Sequence, residues 1–157
     1  MENTGKVALS AVLILLVVIA VADATLGLET RSLDRESHDY VERVLPAIVA
    51  HWRAQTLLAN ASPELSTLAE RQDITHLFHL FRHLGPLQHY DGLHGRATLI
   101  WKPERGWIIT ADYRAHVQFA RGPALVSLSL VRRHHQWQIY ALSVDSPALV
   151  RESATLP

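Results

Sequence analysis

Histidine is the residue type in this sequence with the widest range of possible chemistry. Ten of the 157 residues are histidine, and imidazole binds transition metals and changes charge near pH 6.5. His76, His79 and His83 are spaced so that a helix would place three imidazoles on one face, where they could hold Zn²⁺, Ni²⁺ or Cu²⁺. That face lies opposite the apolar residues of the same predicted helix, so the competing interpretation is a solvated polar face. We expect no bound metal and keep these three histidines as the candidate ligands.

A second group of reactive side chains follows that helix in the segment from Leu87 to His94. It contains His89, Tyr90 and Asp91, and its polar composition predicts a loop. An aspartate close to a histidine could act as a general base, provided that a dry pocket shifts the pKa of one of them. A polar loop is more often wet, so the sequence favours a ligand contact or plain surface over catalysis.

The sequence does not indicate the other common chemistries. Fifteen basic residues balance fifteen acidic ones without forming a block, so the charge that nucleic-acid binding needs is missing. There is no Gly-rich phosphate loop and no Gly-x-Ser-x-Gly motif, so neither nucleotide binding nor a serine nucleophile is predicted. The absence of cysteine excludes a lipid-modified cysteine anchor. We therefore predict no catalytic residue and no cofactor.

The N-terminal part of the chain contains an apolar run, Val7 to Ala22, without a charged residue. A helix needs roughly 20 apolar residues to cross a bilayer core, whereas the apolar region of a secretory signal has about 7 to 15. The length of this run lies between those ranges, so residues 1–28 are predicted as a signal anchor or a signal peptide. Lys6 supplies a weak positive charge before the run, and a small-residue pattern would allow cleavage after Ala24.

Both alternatives predict that the rest of the chain is exported. We prefer the uncleaved anchor, in which residues 7–22 attach the protein to the cytoplasmic membrane and the domain faces the periplasm or the exterior. The alternative is a secreted or periplasmic protein after cleavage at Ala24. The distribution of positive charge does not decide the orientation, because Lys6 on one side faces Arg31 and Arg35 on the other.

The domain is predicted to begin with an amphipathic helix near His38, after a polar linker at residues 29–37. Apolar residues recur from there at three- and four-residue spacing, and Pro46 is expected either to kink this helix or to divide it. Ser62 is placed to cap a short second helix that has Pro63 at its first position.

A third helix is predicted from about Arg71 to Leu84, because Gly85-Pro86 follows it as a termination signal. The hydrophobic pattern then changes to period two, which indicates strands. The predicted strands are Arg96–Lys102, Trp107–Ala120, Ala124–Arg133 and Trp137–Asp145. Residues 147–157 are predicted as a flexible tail.

Helices followed by an antiparallel meander predict an α+β fold over residues 38–146, with the helices packed on one face of a curved four-stranded antiparallel sheet. Alternation along the second strand directs Tyr113, Ala115, Val117 and Phe119 toward the helices. It directs Asp112, Arg114, His116 and Gln118 away from them. The corresponding face of the third strand, with Ser127 and Ser129, is mixed, so this surface is predicted to contact a partner or a second copy.

The chain has four tryptophans, Trp52, Trp101, Trp107 and Trp137. They could line an apolar pocket, but packing is the preferred interpretation.

Three stretches of this sequence resemble those of a known protein family. They are Phe78-x-x-Phe81-x-x-Leu84-Gly85, then Tyr113-x-Ala115-x-Val117-x-Phe119-Ala120-Arg121-Gly122, and Leu128-x-Leu130-Val131 followed by Gln136-Trp137-x-Ile139. With the element order, they resemble the NTF2-like (cystatin-like) superfamily, and within it small exported or membrane-anchored domains of unknown function. The likeness covers about Tyr40 to Ser146 and rests on packing positions, so it implies a fold and not an activity.

The resemblance implies two classes of function. The superfamily includes isomerases and dehydratases, whose polar groups lie inside the cone of the sheet, and also membrane-anchored subunits and binding modules. Only Tyr113 is polar among the inward positions predicted here, and Asp91 and His94 are expected near the mouth of the cone, so these three are the candidate ligand-binding residues. We prefer the other class, a membrane-tethered, non-enzymatic module that binds a protein partner or a second copy through the sheet face.

Overall fold

The computed structural model describes residues 30–72, 74–104 and 106–153. The chain divides into two compact units, Met1–Leu33 and Asp34–Pro157. The predicted membrane segment at residues 7–22 and the cleavage site at Ala24 lie outside the described residues. Within the described ranges, no helix is both long enough and apolar enough to cross a membrane.

Helices precede and follow a single antiparallel sheet in the described part of the chain. The helices are α1 at residues 30–49, α2 at Ala54–Leu58, α3 at Pro63–Arg71, α4 at Ile74–Arg82 and α5 at Pro147–Ser153. The strands are β1 at Leu87–Lys102, β2 at Gly106–Phe119, β3 at Gly122–Arg133 and β4 at Gln136–Asp145. The strands are hydrogen-bonded in the order β1-β2-β3-β4. The predicted α+β architecture, with helices packed against a four-stranded antiparallel sheet, is confirmed.

Helix α1 starts earlier than the sequence predicted. Residues 30–37 are helical, so the helix does not begin near His38, and the linker predicted at residues 29–37 is helical over the part that the structure describes. The segment lacks an apolar stripe because polar contacts by Asp34 and Ser37, described below, hold it on the sheet. The helix also continues through Pro46 without a break, so it is not divided into two helices there.

The break that the sequence did not predict lies at Trp52, which separates α1 from α2. Its φ of 45° is in the left-handed region, which is costly for a bulky residue. The indole is nonetheless fixed there, because its centroid lies 4.9 Å from that of Phe81 and 5.8 Å from that of Phe119. Aromatic packing in the core therefore holds the strained turn, and the prediction that Trp52 belongs to the core is confirmed.

Strand β1 begins at Leu87, so the prediction of a loop from Leu87 to His94 is wrong. The register of β1 on β2 shifts twice, between Leu87 and His89 and again between Tyr90 and Leu93. Each shift inserts an extra residue into β1 and changes which residues face the helices. The inward residues are thus spaced irregularly along the chain, and the period-two pattern of a strand is lost from the sequence.

The inner face of the sheet forms the core with the helices, as predicted. Tyr113, Ala115, Val117 and Phe119 on β2 are buried, as are Val126, Leu128 and Leu130 on β3. A third bulge, at Tyr140 on β4, places Leu142 opposite Leu128 and so restores apolar side chains to the inner face. Helical spacing also predicts that Leu77 on α4 faces the core with Phe78 and Phe81, and this is wrong, because Leu77 is 44% exposed.

Tyr113 is a polar residue that is fully buried on this inner face, and its hydroxyl joins the sheet to α1. The Tyr113 hydroxyl lies 2.7 Å from the Ser37 Oγ and donates to the Asp34 carbonyl oxygen at 3.3 Å. The Asp34 carboxylate accepts a hydrogen bond of 2.7 Å from the backbone N–H of Ala97 on β1. Burial raises the pKa of the Tyr113 phenol, so the hydroxyl keeps its proton at neutral pH and remains a donor.

Helices α3 and α5 are held by serine caps and by contacts with β3. Ser62 caps α3 by accepting a hydrogen bond from the Leu65 N–H, which confirms the predicted cap with Pro63 as the first residue. Ser146 donates to the Pro123 carbonyl oxygen at 2.8 Å and accepts from the Ala148 N–H. Residues 147–153 are therefore helical, which corrects the prediction of a flexible tail for that part of the chain.

Replacing Tyr113 with Phe is expected to lower the free energy of unfolding by about 1–3 kcal/mol, because a buried hydroxyl that bonds Ser37 is removed. Denaturant unfolding at pH 7 measures the change. Tyr90→Phe is the matched control, since its half-buried hydroxyl lies 3.4 Å from Glu42 and its loss should cost less than about 0.5 kcal/mol. Equal losses in the two variants would contradict the role assigned to Tyr113.

Glu64 is expected to make the stability of the domain depend on pH. Its hydrogen bond with Arg133 on β3 lowers the pKa of the carboxyl below its ordinary value of 4.5. Because the folded pKa is the lower one, the stabilisation is present above pH 4.5 and is lost as the pH falls through the folded pKa. The side chain is 43% exposed, so solvent screening keeps the effect below about 1 kcal/mol.

The test compares unfolding free energies of the wild type and Glu64→Gln at pH 6 and pH 3. The difference between the two proteins should be present at pH 6 and should shrink toward zero at pH 3. Glu70→Gln in the same helix, whose side chain is exposed, controls for the loss of one carboxylate from α3. A difference that grows on acidification would overturn the assignment.

Candidate functional site

The outer face of the sheet, which points away from the helices, carries rows of polar and charged side chains. Register places His94, Arg114, Ser127 and Ser143 side by side across all four strands. The next row contains Arg96, Asp112 and Ser129 on the first three strands. We call these seven residues the polar rows. They arise because alternation sends every second residue of each strand to this face.

The polar rows line an open depression of about 860 Å³ on the outer face. Beside it lies a second depression of about 410 Å³, which Asp91, His116, Leu125 and Asp145 line. The two depressions differ in charge, because the first contains two arginines and one aspartate, whereas the second contains two aspartates and, among its described lining residues, no arginine or lysine. The outer face is therefore divided into a basic middle and an acidic end.

One hydrogen bond ties neighbouring strands together within the polar rows. Ser129 Oγ donates to Asp112 Oδ1 at 2.6 Å, so this hydroxyl orients the carboxylate on β2. Asp112 lies opposite Arg96 in the register of β1 and β2, on its other side. The Ser129 hydrogen bond thus orients this carboxylate, and an arginine occupies the neighbouring register position on β1.

The structure separates the three predicted ligand-binding residues. Asp91 lines the smaller depression, and its carboxylate lies 2.7 Å from His89 Nε2, with both side chains more than 60% exposed. His94 is exposed in the polar rows. The Tyr113 side chain is on the opposite face, where its hydroxyl bonds Ser37. The aspartate and the two histidines are surface groups, and the tyrosine is a core group.

The predicted metal ligands lie on and just after α4, away from the sheet face. His76 and His79 are exposed, and the imidazole centroids of His79 and His83 are 5.3 Å apart in an edge-on arrangement. Over residues 30–72, 74–104 and 106–153, no group of three or more His, Asp or Glu side chains is arranged to hold a metal ion. The face that carries these histidines is the outward side of the helix.

Sequence reasoning missed two members of the polar rows, Arg96 and Ser143. The bulge at Tyr140 reverses which face the later residues of β4 point to, so simple alternation misplaces Ser143. Arg96 was taken as the first residue of a strand that in fact starts at Leu87. Tyr140 has no partner in the register of β3 and β4, and the exposure of Tyr140 and Ala141 in succession marks the bulge in the structure.

An apolar cleft, which sequence reasoning also missed, lies between α3, α4 and β4. It encloses about 250 Å³, and its lining includes Leu65, Leu68, Leu77, Phe78 and Leu142. Leu68 and Leu77 are exposed at its rim. Among the described residues that line the cleft, Gln72 is the only one with a polar side chain, so the lining suits an apolar group.

Comparisons of the chain with protein-family models, with curated proteins and with solved structures found no match. The likeness to the NTF2-like superfamily therefore stays a prediction that rests on the packing residues of α4, β2 and β3. The functional assignment below is based on the side chains of the outer face and on their register.

Proposed function

We propose that this chain is a membrane-tethered, non-enzymatic interaction module of NTF2-like fold that works outside the cytoplasm. Its N-terminal apolar segment would be the tether, and the outer face of the sheet would contact a protein partner or a second copy of the chain. The observation that carries the proposal is the polar rows, which cross four strands on a face that no described helix covers.

The arrangement of charge supports a protein contact. Arginine is favoured in protein interfaces, and Arg96 and Arg114 stand in adjacent rows with serines beside them as hydrogen-bonding groups. A surface of this kind requires carboxylates from the partner. A second copy supplies them, because Asp91 and Asp145 line the acidic end of the same face. A two-fold axis between the basic middle and the acidic end would pair them.

The placement of the titratable groups favours binding over catalysis. Acid–base catalysis relies on groups whose pKa a dry pocket has shifted. His89 and Asp91 pair with each other in contact with solvent, and the depressions of the outer face are open. On the inner face, the side chains of Trp52, Phe119 and Tyr113 are buried against the helices and fill the space that a pocket inside the sheet would need.

A photocrosslinking amino acid placed at Ser143 tests this contact in cells. Ser143 is exposed at the end of a polar row, so we expect a crosslinked product whose mass identifies either a partner or a dimer of this chain. The same probe at Glu70, exposed on α3, should give no specific product. Light scattering on the purified full-length chain then reports whether the dimer exists without other proteins.

Arg114→Glu should reduce the Ser143 crosslink at least tenfold, because it places a carboxylate where the partner is expected to present one. Arg53→Glu, at an exposed position before α2, changes the net charge equally and should leave the crosslink unchanged. A strict monomer together with equal crosslinking from Ser143 and Glu70 would overturn the proposal.

The apolar cleft favours a second function, the binding of a small apolar molecule. Its volume of about 250 Å³ is below the usual range for drug-sized ligands, so a short alkyl chain or a small ring would fit. This candidate corresponds to the small-molecule class implied by the family resemblance, but it uses the cleft between α3, α4 and β4.

Native mass spectrometry of the full-length chain, purified from membrane and soluble fractions, tests this second function. If the cleft holds an apolar molecule, the protein should carry an added mass, and Ala69→Trp should remove it by filling the cleft. Thr67→Trp, at an exposed position of the same helix, should keep it. An unloaded wild-type protein from both fractions would dismiss this candidate.

A further inference from the structure

The end of the β1–β2 hairpin exposes large apolar side chains. Trp101 and Trp107 are register partners at this end, and they are 56% and 67% exposed. Leu99 and Ile100 on β1 are also exposed. We call residues 99–102 and 106–109 the hairpin tip. Exposed tryptophan is uncommon on a domain surface, and here two are adjacent.

Apart from Lys102 and Gly106 next to the turn, the residues of the hairpin tip are apolar on both faces. Leu99, Trp101 and Trp107 continue the inner face, by alternation from Ala97. Ile100 and Ile108 pair with each other on the outer face. A strand pair in water normally keeps one polar face, so apolar residues on both faces indicate an apolar environment around the tip.

The position of the tip is fixed by contacts between β1 and α1. Along β1, Tyr90 contacts Glu42 and Ala97 contacts Asp34, so the strand and the helix run in opposite directions. The tip therefore projects past Asp34, the first residue of the domain unit. Trp101 is four residues beyond Ala97, which corresponds to about 13 Å of strand.

We propose that the hairpin tip inserts into the interface of the lipid bilayer to which the N-terminal segment attaches the chain. This inference rests on the membrane attachment in the proposed function. Five residues lie between Asp34 and Leu28, the last residue of the predicted segment. Residues 30–33 are helical, so this connection can span at most about 13 Å. The tip reaches about the same distance beyond Asp34, so it can meet the bilayer surface.

The composition of the tip matches that of membrane interfaces. Tryptophan concentrates at the level of the lipid head groups, where its ring is buried and its indole N–H stays hydrated. The turn sequence adds Lys102 and Arg105, whose charges suit anionic head groups. The occupant that this chemistry fits is therefore a lipid surface, and contact with a second copy or another protein is an alternative that the experiment below detects.

Fluorescence quenching by brominated lipids tests the inference on the full-length chain. The protein is reconstituted in vesicles of phosphatidylcholine and phosphatidylglycerol with brominated acyl chains, and tryptophan emission is compared with that in unbrominated vesicles. We expect clear quenching in the wild type and its near-complete loss in a Trp101→Phe, Trp107→Phe double variant. Trp52 and Trp137, which remain in that variant, are buried within the domain.

Trp137→Phe is the control, because Trp137 is buried on β4, at the edge of the sheet opposite β1, and its removal should keep the quenching. Far-UV circular dichroism confirms that each variant is folded. Two results would overturn the inference and leave the proposed membrane attachment unaffected. The first is equal quenching in the double variant and the wild type. The second is no quenching in a wild type that floats with the vesicles. A full-length chain that does not float with the vesicles would overturn both.

Discussion

The hydrogen bonds around the Tyr113 hydroxyl are the constraint on which the rest of this domain depends. They connect β2 to Ser37 and Asp34 on α1, and Asp34 in turn holds the N–H of Ala97 on β1. Gly95 makes this possible, since a Cβ there would lie 2.6 Å from Tyr113 Cδ1 and 2.1 Å from the Asp112 carbonyl oxygen. The helix, the tyrosine and the glycine fit together only as a set, which fixes α1 over the first two strands.

Fixing α1 in this way decides which face of the sheet is available for function. The helix and the aromatic residues around Trp52 fill the inner face, so the side chains there stabilise the fold. Tyr113 shows the consequence most clearly, because its buried hydroxyl bonds Ser37. The described surfaces that stay open to other molecules include the outer face, the cleft beside α4 and the hairpin tip.

The sequence was sufficient to predict those parts of the fold in which apolar residues follow a regular period. The inner residues of β2 alternate without interruption, and the cap at Ser62 has a local pattern, so both could be predicted. The bulges in β1 and at Tyr140 could not, because each shifts the alternation by one residue and the cause lies in the neighbouring strand. For the same reason, the residues of β2 that point to the outer face could be predicted from alternation. The orientation of Ser143 on β4 could be assigned only from the register of β3 and β4.

The four tryptophans of this chain occupy two different environments, because two are buried in the core and two are exposed. Trp52 and Trp137 are at most 8% exposed, and each contacts the core through residues that tertiary structure brings together. Trp101 and Trp107 continue the same inner face along the hairpin, but they are 56% and 67% exposed. Alternation alone places the three strand tryptophans, Trp101, Trp107 and Trp137, inward. Burial by neighbouring elements, and not the sequence pattern, separates the core tryptophans from the two exposed ones.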